Sequence, residues 1–338
     1  MFRITKISVH GVRLNFISNS DFYHDEILED YKHFELNSIK DSNLDANVFF
    51  QIMNDLKSFP INFYGLKEAK LIKEILTDDL AEFSISVLDD SWIIINGMSG
   101  NVIFLANPDQ EIYHGYSTVE NLSVYHMLTD MIMNILTKKL IKKKIFSVHA
   151  AAASKNNAGI LFPGKAGSGK TTLSIILTRL GYNFLSDDYP LILSKNSTFE
   201  IFAFPLRLKV RPDIIEQFSE FQIYTRRKGT RVKRPYIDIT EIYANCLTRK
   251  AKLKFIAFPI LTSGKSNYKQ LSSEEALQRL LPCVFDPFPS VQKDTSIRKS
   301  IFEIAYSLVR NIKCYDLFLG KNHSQVLKTV DDIFDNND

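Results

Sequence analysis

Two stretches of the chain alternate apolar and polar residues as β-strands do. Residues 1–18 and residues 83–87 repeat with a period of two, which is the spacing of side chains on one face of a strand. With the two short apolar runs that follow it, the second stretch predicts an antiparallel meander over residues 82–105. Its strands are predicted at residues 83–87, 92–95 and 102–105, with turns at Asp89-Asp90 and at Gly97 and Gly100. Residues 19–60 are mixed and acidic, and they predict no element.

A segment with helical spacing of apolar residues follows the meander, and a different pattern begins after Phe146. Apolar residues recur at helical spacing over residues 119–140, which predicts an amphipathic helix. After Phe146 the order is a short apolar strand at 160–162, a glycine-rich loop, a helix from about 170 to 180 and a strand at 183–185. This order is typical of a βαβ unit in a largely parallel sheet. We therefore expect an N-terminal α+β domain over residues 1–142 and a second domain over residues 143–338.

The glycine-rich loop matches the pattern G-x-x-x-x-G-K-[ST] over Gly164–Thr171. Loops of this kind turn successive backbone N–H groups toward an anion, and the dipole of the following helix adds positive potential. Lysine supplies a charge for the β- and γ-phosphates, and the hydroxyl after it can ligate Mg²⁺. The alternative is a glycine-rich turn with a coincidental lysine. The predicted nucleotide-binding residues are Gly164, Lys165, Ala166, Gly167, Ser168, Gly169, Lys170, Thr171 and Thr172.

Two adjacent carboxylates, Asp187 and Asp188, end the strand after the predicted phosphate-loop helix. Acids at the carboxyl end of such a strand lie at the ligand-binding edge of the sheet. Neighbouring side chains at a strand end point in different directions, so one acid can face a metal and the other an acceptor. The alternative is a polar turn before Tyr189-Pro190. His149 would approach the phosphates if a hairpin joined it to the phosphate-loop strand, but alone it is equally consistent with a core or surface histidine.

Together, these segments resemble the HPr kinase/phosphorylase superfamily, and most closely its branch of kinases that modify ribosomal peptides such as lasso peptides. The segments are Val148–Ala152, Gly159–Leu173 and Leu180–Asp188. The resemblance implies an α/β fold, with a P-loop kinase domain of the phosphoenolpyruvate-carboxykinase/HPr-kinase type. It also implies transfer of a phosphoryl group from ATP, or another nucleoside triphosphate, with Mg²⁺ to a serine hydroxyl.

The same resemblance assigns roles to individual residues. The family's catalytic acid falls on Asp187, its histidine on His149 and its phosphate lysine on Lys170. Its metal-ligating hydroxyl falls on Thr171, and we expect Asp188 or Glu200 to complete the metal site. The chain departs from the family at residues 202–209, where the family has a glycine-rich motif tied to phosphorolysis, and residues 1–140 do not resemble its N-terminal domain. The resemblance therefore does not extend to phosphorolysis or to HPr as the substrate.

A basic segment and two amphipathic helices complete the pattern. Residues 207–234 are rich in arginine and lysine, which suits an arginine that closes on the phosphoryl group, a dock for an acidic peptide or a solvated loop. Aromatic residues are sparse there, so nucleic acid is not an expected partner. Helices are predicted at 271–282, capped by Ser272 or Ser273, and at 296–310.

Composition excludes a disordered, a collagen-like or a low-complexity chain. The chain has 338 residues, of which 45% are apolar and 24% charged, with a formal net charge of +4, which is typical of a globular protein of about two domains. Three scattered cysteines predict buried thiols rather than a metal site. No signal-peptide pattern and no apolar run of about 18 residues appears. We expect a cytoplasmic protein that does not enter the membrane.

The sequence therefore favours a serine kinase that acts on a peptide or small protein. Two alternatives use the same residues: a kinase of a small hydroxylated metabolite, and a nucleotide-binding regulatory protein without transfer activity, in which the N-terminal domain would bind the partner or substrate. A homo-oligomer is compatible with each of them.

Overall fold

The computed structural model divides the chain into two compact units, Met1–Leu140 and Ile141–Asp338. It describes residues 1–36, 44–56, 70–76, 82–88, 92–97, 101–107, 111–195, 198–227, 230–231, 235–285 and 295–335. Each unit is built on its own main sheet.

Nine strands among the described residues of the first unit form one sheet. They are β1 (Arg3–Val9), β2 (Val12–Ser18), β3 (Glu35–Leu36), β4 (Ala46–Ile52), β5 (Lys70–Leu76), β6 (Glu82–Leu88), β7 (Trp92–Gly97), β8 (Val102–Asn107) and β9 (Ile112–Ser117). Their order is β3-β1-β2-β4-β9-β8-β7-β6-β5. Strands β6, β7 and β8 pair antiparallel in succession, so the predicted meander is confirmed; its turns at Asp89-Asp90 and Gly100 lie outside the described residues.

Two helices belong to this part of the chain, α1 (Asp21–Tyr31) and α2 (Leu122–Ile141). Ser20 caps α1 by accepting a hydrogen bond from the Tyr23 amide, and this helix lies in the region where the sequence predicted no element. Helix α2 confirms the helix predicted from apolar spacing. None of the described helices is both long and apolar enough to cross a membrane.

The described residues of the second unit form thirteen strands. They are β10 (Ile145–Ser147), β11 (Ala150–Lys155), β12 (Ala158–Pro163), β13 (Asn183–Ser186), β14 (Leu191–Lys195), β15 (Thr198–Phe202), β16 (Leu208–Lys209), β17 (Arg226–Arg227), β18 (Thr230–Arg231), β19 (Tyr236–Ile237), β20 (Lys250–Leu261), β21 (Asn267–Gln270) and β22 (Lys313–Leu319). The main sheet has the order β10-β14-β15-β20-β12-β11-β13, and β22 pairs with β20 and β21. The pairs β16-β19 and β17-β18 form two small sheets of their own.

The prediction of a largely parallel sheet is wrong. Among the described strands, only β12-β20 and β20-β22 pair parallel in the main sheet, and its other six pairings are antiparallel. The reason is β11, which forms a hairpin with β12 and lies between β12 and β13. Strands β12 and β13 still run in the same direction, and the glycine-rich loop and its helix connect them. The fold is therefore mixed α/β.

In the part of this unit that the structure describes there are five helices: α3 (Lys170–Arg179), α4 (Pro212–Gln217), α5 (Ser273–Phe285), α6 (Thr295–Asn311) and α7 (His323–Asp335), with 3₁₀ turns at Ser219–Thr225 and Ile239–Glu241. Apolar residues of α3 and α7 share one core with β11, β12, β20 and β22. Helices α5 and α6 confirm the two predicted amphipathic helices. Ser272 and Glu275 exchange hydrogen bonds at the start of α5, a capping box that identifies Ser272 as the cap. The three cysteines are buried free thiols, as predicted.

Candidate functional site

The glycine-rich loop connects the end of β12 to the start of α3, and two glycines explain its shape. Gly169 has a φ of 96°, a left-handed conformation that glycine adopts without strain. A Cβ atom at Gly164 would lie 2.4 Å from the Ser168 Oγ, so any other residue would require the Ser168 side chain to move. We call Gly164–Gly169 the phosphate loop. It lies at the sheet edge formed by the carboxyl ends of β12, β13 and β20, which we call the loop edge.

Lys170 is 7% exposed and its ammonium group points back into the phosphate loop. The Nζ donates hydrogen bonds to the carbonyls of Gly164, at 2.7 Å, and Lys165, at 3.2 Å. Its position is therefore fixed over the loop, at the amino end of α3, where the helix dipole also favours an anion. A phosphate group that enters the loop meets backbone N–H groups and this charge together.

Asp187 is held by two hydroxyl groups of α3. Thr171 Oγ1 donates to Asp187 Oδ2 at 2.8 Å, and Ser174 Oγ donates to Asp187 Oδ1 at 3.0 Å. Burial, with repulsion from Asp188, raises the pKa of Asp187 to about 6, although the two hydroxyl donors and Lys170 act in the opposite direction. Because burial makes this carboxylate costly to ionise, a nearby cation would stabilise its ionised form.

His149 and Asp188 form a second pair beside the loop. The β11-β12 hairpin brings His149 back to the loop edge, as the sequence predicted, and the Gly164 amide donates to the His149 carbonyl at 3.4 Å. The amide of His149 donates to the Cys283 carbonyl of α5 at 2.8 Å. His149 Nε2 lies 3.2 Å from Asp188 Oδ1, and its ring stacks on Tyr189 with centroids 6.1 Å apart. The side chain of Asp188 is 55% exposed, so an incoming molecule can reach it.

The structure separates the sequence-predicted metal residues. Thr171 contacts Asp187, whereas Asp188 faces His149. Hydroxyl and carboxylate oxygens are the ligands that Mg²⁺ prefers, and Mg²⁺ commonly takes one or two carboxylates together with phosphate oxygens. The adjacent oxygens of Thr171 and Asp187 therefore fit Mg²⁺ better than the predicted combination of Thr171 with Asp188.

The structure places Glu200 away from the phosphate loop and does not support its predicted metal role. It lies on β15 opposite Lys252, which pairs with Ala158 at the start of β12. The phosphate loop begins after Pro163, five residues further along β12, which is about 16 Å away at the rise of a strand. The Glu200 carboxylate instead pairs with Lys250 at 2.7 Å. The sequence alone does not reveal this strand register.

The basic segment has more structure than the predicted loop. It contains α4, a 3₁₀ turn and the β17-β18 hairpin, while residues 228–229 and 232–234 lie outside the described part of the chain. Arg211 pairs with Asp213 at 2.6 Å, and the Arg207 guanidinium lies 5.4 Å from the ring centroid of Tyr236. These contacts assign no phosphate role to either arginine.

Ser174 is the residue that the sequence argument missed. It is 2% exposed and lies one helical turn after Thr171, so both hydroxyls face the same strand end. The sequence feature that could have identified Ser174 is its hydroxyl three residues after Thr171, in a helix that starts at a phosphate loop. The structure thus brings together Lys170, Thr171, Ser174 and Asp187, with His149 and Asp188 next to them.

Comparison with known proteins adds one finding. No protein-family model matches the chain, and no curated protein matches it in sequence. Among solved structures, the chain is similar to the HPr(Ser) kinase/phosphatase from Coxiella burnetii, with 12% sequence identity and a TM-score of 0.31. The similarity covers 56% of this chain and 97% of that chain. At this TM-score it decides no role, so the resemblance to a kinase family, including its peptide-modifying branch, stays a prediction from the sequence.

Proposed function

We propose that the protein is a Mg²⁺-dependent phosphotransferase that moves the terminal phosphoryl group of ATP, or of another nucleoside triphosphate, to a serine hydroxyl of a peptide or small protein. The observation that carries the proposal is the convergence at one sheet edge of a phosphate loop and two distinct carboxylates. One carboxylate, Asp187, contacts the loop helix, and the other, Asp188, lies in an exposed pair with His149. Phosphoryl transfer needs this combination of anion binding, metal ligation and acceptor alignment.

The phosphate side of the site is the loop, Lys170 and the Thr171–Asp187 pair. The loop amides and the Lys170 ammonium bind the β- and γ-phosphates. Because Lys170 is little exposed, water screens its attraction to the phosphates less. Bound Mg²⁺ neutralises charge that develops on the phosphate oxygens. Thr171 and Asp187 would hold the ion, and Ser174 fixes the Asp187 carboxylate from its other oxygen.

The acceptor side is the His149–Asp188 pair, which reverses the roles that the resemblance gave to the two acids. The exposed Asp188 carboxylate accepts a hydrogen bond from the acceptor hydroxyl and takes its proton as the new O–P bond forms. The bond from the γ-phosphorus to the β-phosphate oxygen breaks, and the nucleoside diphosphate leaves. His149 orients the Asp188 carboxylate through their 3.2 Å contact.

Exposure favours a peptide acceptor over a small metabolite. The side chain of Asp188 is 55% exposed and that of His149 is 23% exposed, so the acceptor side opens to solvent. A serine carried on a peptide can enter such a site, whereas kinases of small metabolites commonly enclose their substrates.

The direct test is acceptor-dependent transfer by the full chain. The protein is incubated with γ-labelled ATP, Mg²⁺ and serine-containing peptides, with matched peptides that carry alanine in place of serine as controls. We expect label on the serine peptides only. Label on small hydroxylated metabolites alone would support the metabolite kinase, and nucleotide binding without any acceptor-dependent turnover would support the regulatory protein.

Replacing Ser174 tests the positioning of Asp187. We expect Ser174→Ala to raise the Mg²⁺ concentration for half-maximal rate about tenfold, because loss of a hydrogen bond to a metal-ligating carboxylate has effects of this size. The measurement is the initial rate against Mg²⁺ concentration at fixed ATP. Thr178→Val is the matched control, since the Thr178 hydroxyl is buried in the same helix and has no partner among the described residues. Equal behaviour of the two variants would exclude a positioning role for Ser174.

A further inference from the structure

An exposed leucine contacts the phosphate loop on the side away from Asp187. Leu261, the last residue of β20, is 62% exposed. A Cβ atom at Gly169 would lie 3.0 Å from Leu261 Cδ2 and 3.4 Å from Leu319 Cδ1. The final residues of β20 and β22 therefore adjoin the last residue of the loop, and an apolar surface begins where the polar loop ends.

Two loops fix this apolar surface. The Thr262 amide donates to the Leu319 carbonyl at 3.0 Å, and the Gly320 amide donates to Ser266 Oγ at 3.0 Å. Gly320 approaches the other loop so closely that a Cβ there would lie 2.5 Å from the Gly264 carbonyl oxygen. The β20-β21 turn and the segment after β22 thus hold each other, and Leu261 projects from a fixed backbone.

The strand order gives the bound nucleotide a direction. Strands β22, β20, β12, β11 and β13 follow one another at the loop edge. Asp187 follows β13, and Leu261 ends β20, so the two are separated across the sheet by three strand spacings, about 14 Å. By the pairings of the intervening strands, Leu261 also lies about four residues further along its strand. The phosphate loop starts between them. A polyphosphate whose terminal group faces Asp187 and Asp188 therefore directs its other end toward Leu261.

We propose that Leu261 forms the nucleobase subsite, where the face of a purine packs on the leucine side chain. The proposal rests on the proposed nucleotide-dependent function and adds the location of the nucleoside to it. Covering an exposed leucine with an aromatic ring removes apolar surface from water, whereas single exposed leucines elsewhere on a protein need no ligand. The leucine side chain offers no donor or acceptor, so it supports adenine and guanine alike.

The test compares a ligand that carries a base with one that does not. Dissociation constants for ATP and for inorganic tripolyphosphate are measured by calorimetry with Mg²⁺, for the wild type, Leu261→Ala and Leu261→Met. Leu180→Ala is the control, because Leu180 is a 42% exposed leucine at the other end of α3, about 15 Å from the loop. Thermal unfolding of each variant confirms that it is folded.

We expect Leu261→Ala to weaken ATP binding about tenfold, because it removes most of the apolar contact. The dissociation constant of Leu261→Ala for tripolyphosphate should stay within twofold of the wild-type value. Leu261→Met should bind ATP nearly as the wild type does, and Leu180→Ala should change the dissociation constant for neither ligand. The proposed subsite is wrong, although the phosphate-loop assignment stands, if Leu261→Ala changes the binding of both ligands equally or of neither. The same conclusion follows if the wild type binds both ligands equally well. Failure of the wild type to bind either ligand would overturn the proposed function together with the subsite.

Discussion

Replacing Asp188 by asparagine is expected to lower the rate constant of phosphoryl transfer about 10²–10⁴-fold, the usual contribution of a positioned acid–base group. Asparagine keeps the size of the side chain but cannot take the acceptor proton. Asp188 faces His149 rather than Thr171, so the dissociation constant for Mg²⁺ and ATP should stay within about twofold. Single-turnover transfer to a serine peptide measures the first quantity, and calorimetry measures the second.

Two further variants make this prediction specific. Glu200→Gln removes a carboxylate from the same sheet at the opposite edge, so transfer should be unchanged. His149→Ala should lower transfer in the same direction as Asp188→Asn, because His149 orients that carboxylate. If Asp188→Asn transfers normally while Asp187→Asn loses transfer and retains nucleotide and metal affinity, the roles first assigned from the family resemblance are correct and ours are wrong.

The sequence predicted local elements well but not the pairing of distant strands. Alternation identified β6, short apolar runs between turn residues identified β7 and β8, and helical spacing identified α2, α5 and α6. The main sheet was misjudged because β11 begins with Ala150–Ala153, a run of small residues with no alternation to indicate a strand. Its insertion between β12 and β13 depends on hydrogen bonds with both neighbours, and a one-dimensional pattern carries no such information.

In the candidate site, too, the sequence predicted the contiguous residues but not the contacts between distant ones. The phosphate loop could be predicted because its glycines, lysine and threonine must be contiguous to surround an anion. The two acids could be placed at the sheet edge, but their partners could not be assigned. Which carboxylate faces Thr171 depends on how α3 packs beside β13, and adjacent side chains at a strand end point in different directions. Leu261 is nearly 100 residues from the loop in sequence, and only the β12-β20 pairing brings it there.

Asp187→Asn is expected to remove metal-dependent activity and, without metal, to stabilise the protein. The Mg²⁺ concentration for half-maximal rate should rise about 100-fold, since a carboxylate ligand is lost. In metal-free protein the pKa of Asp187 is raised to about 6 by burial and by Asp188. The folded state then binds more protons than the unfolded state between about pH 4 and pH 6, so this residue lowers stability as the pH rises through that window.

The ionised carboxylate therefore costs the metal-free fold about 1–3 kcal/mol above pH 6, and asparagine avoids this cost. Thermal unfolding in a metal chelator should show a higher Tm for Asp187→Asn at pH 8 and a gain that shrinks toward pH 4. Asp188→Asn should give a smaller gain at pH 8, because it removes the repulsion that helps to raise the pKa of Asp187 but leaves the Asp187 carboxylate buried. A gain independent of pH would mean that repacking, rather than relief of a buried charge, stabilises the variant. Stabilisation by a substitution that abolishes metal-dependent activity would indicate that Asp187 is kept for the reaction at the expense of the fold.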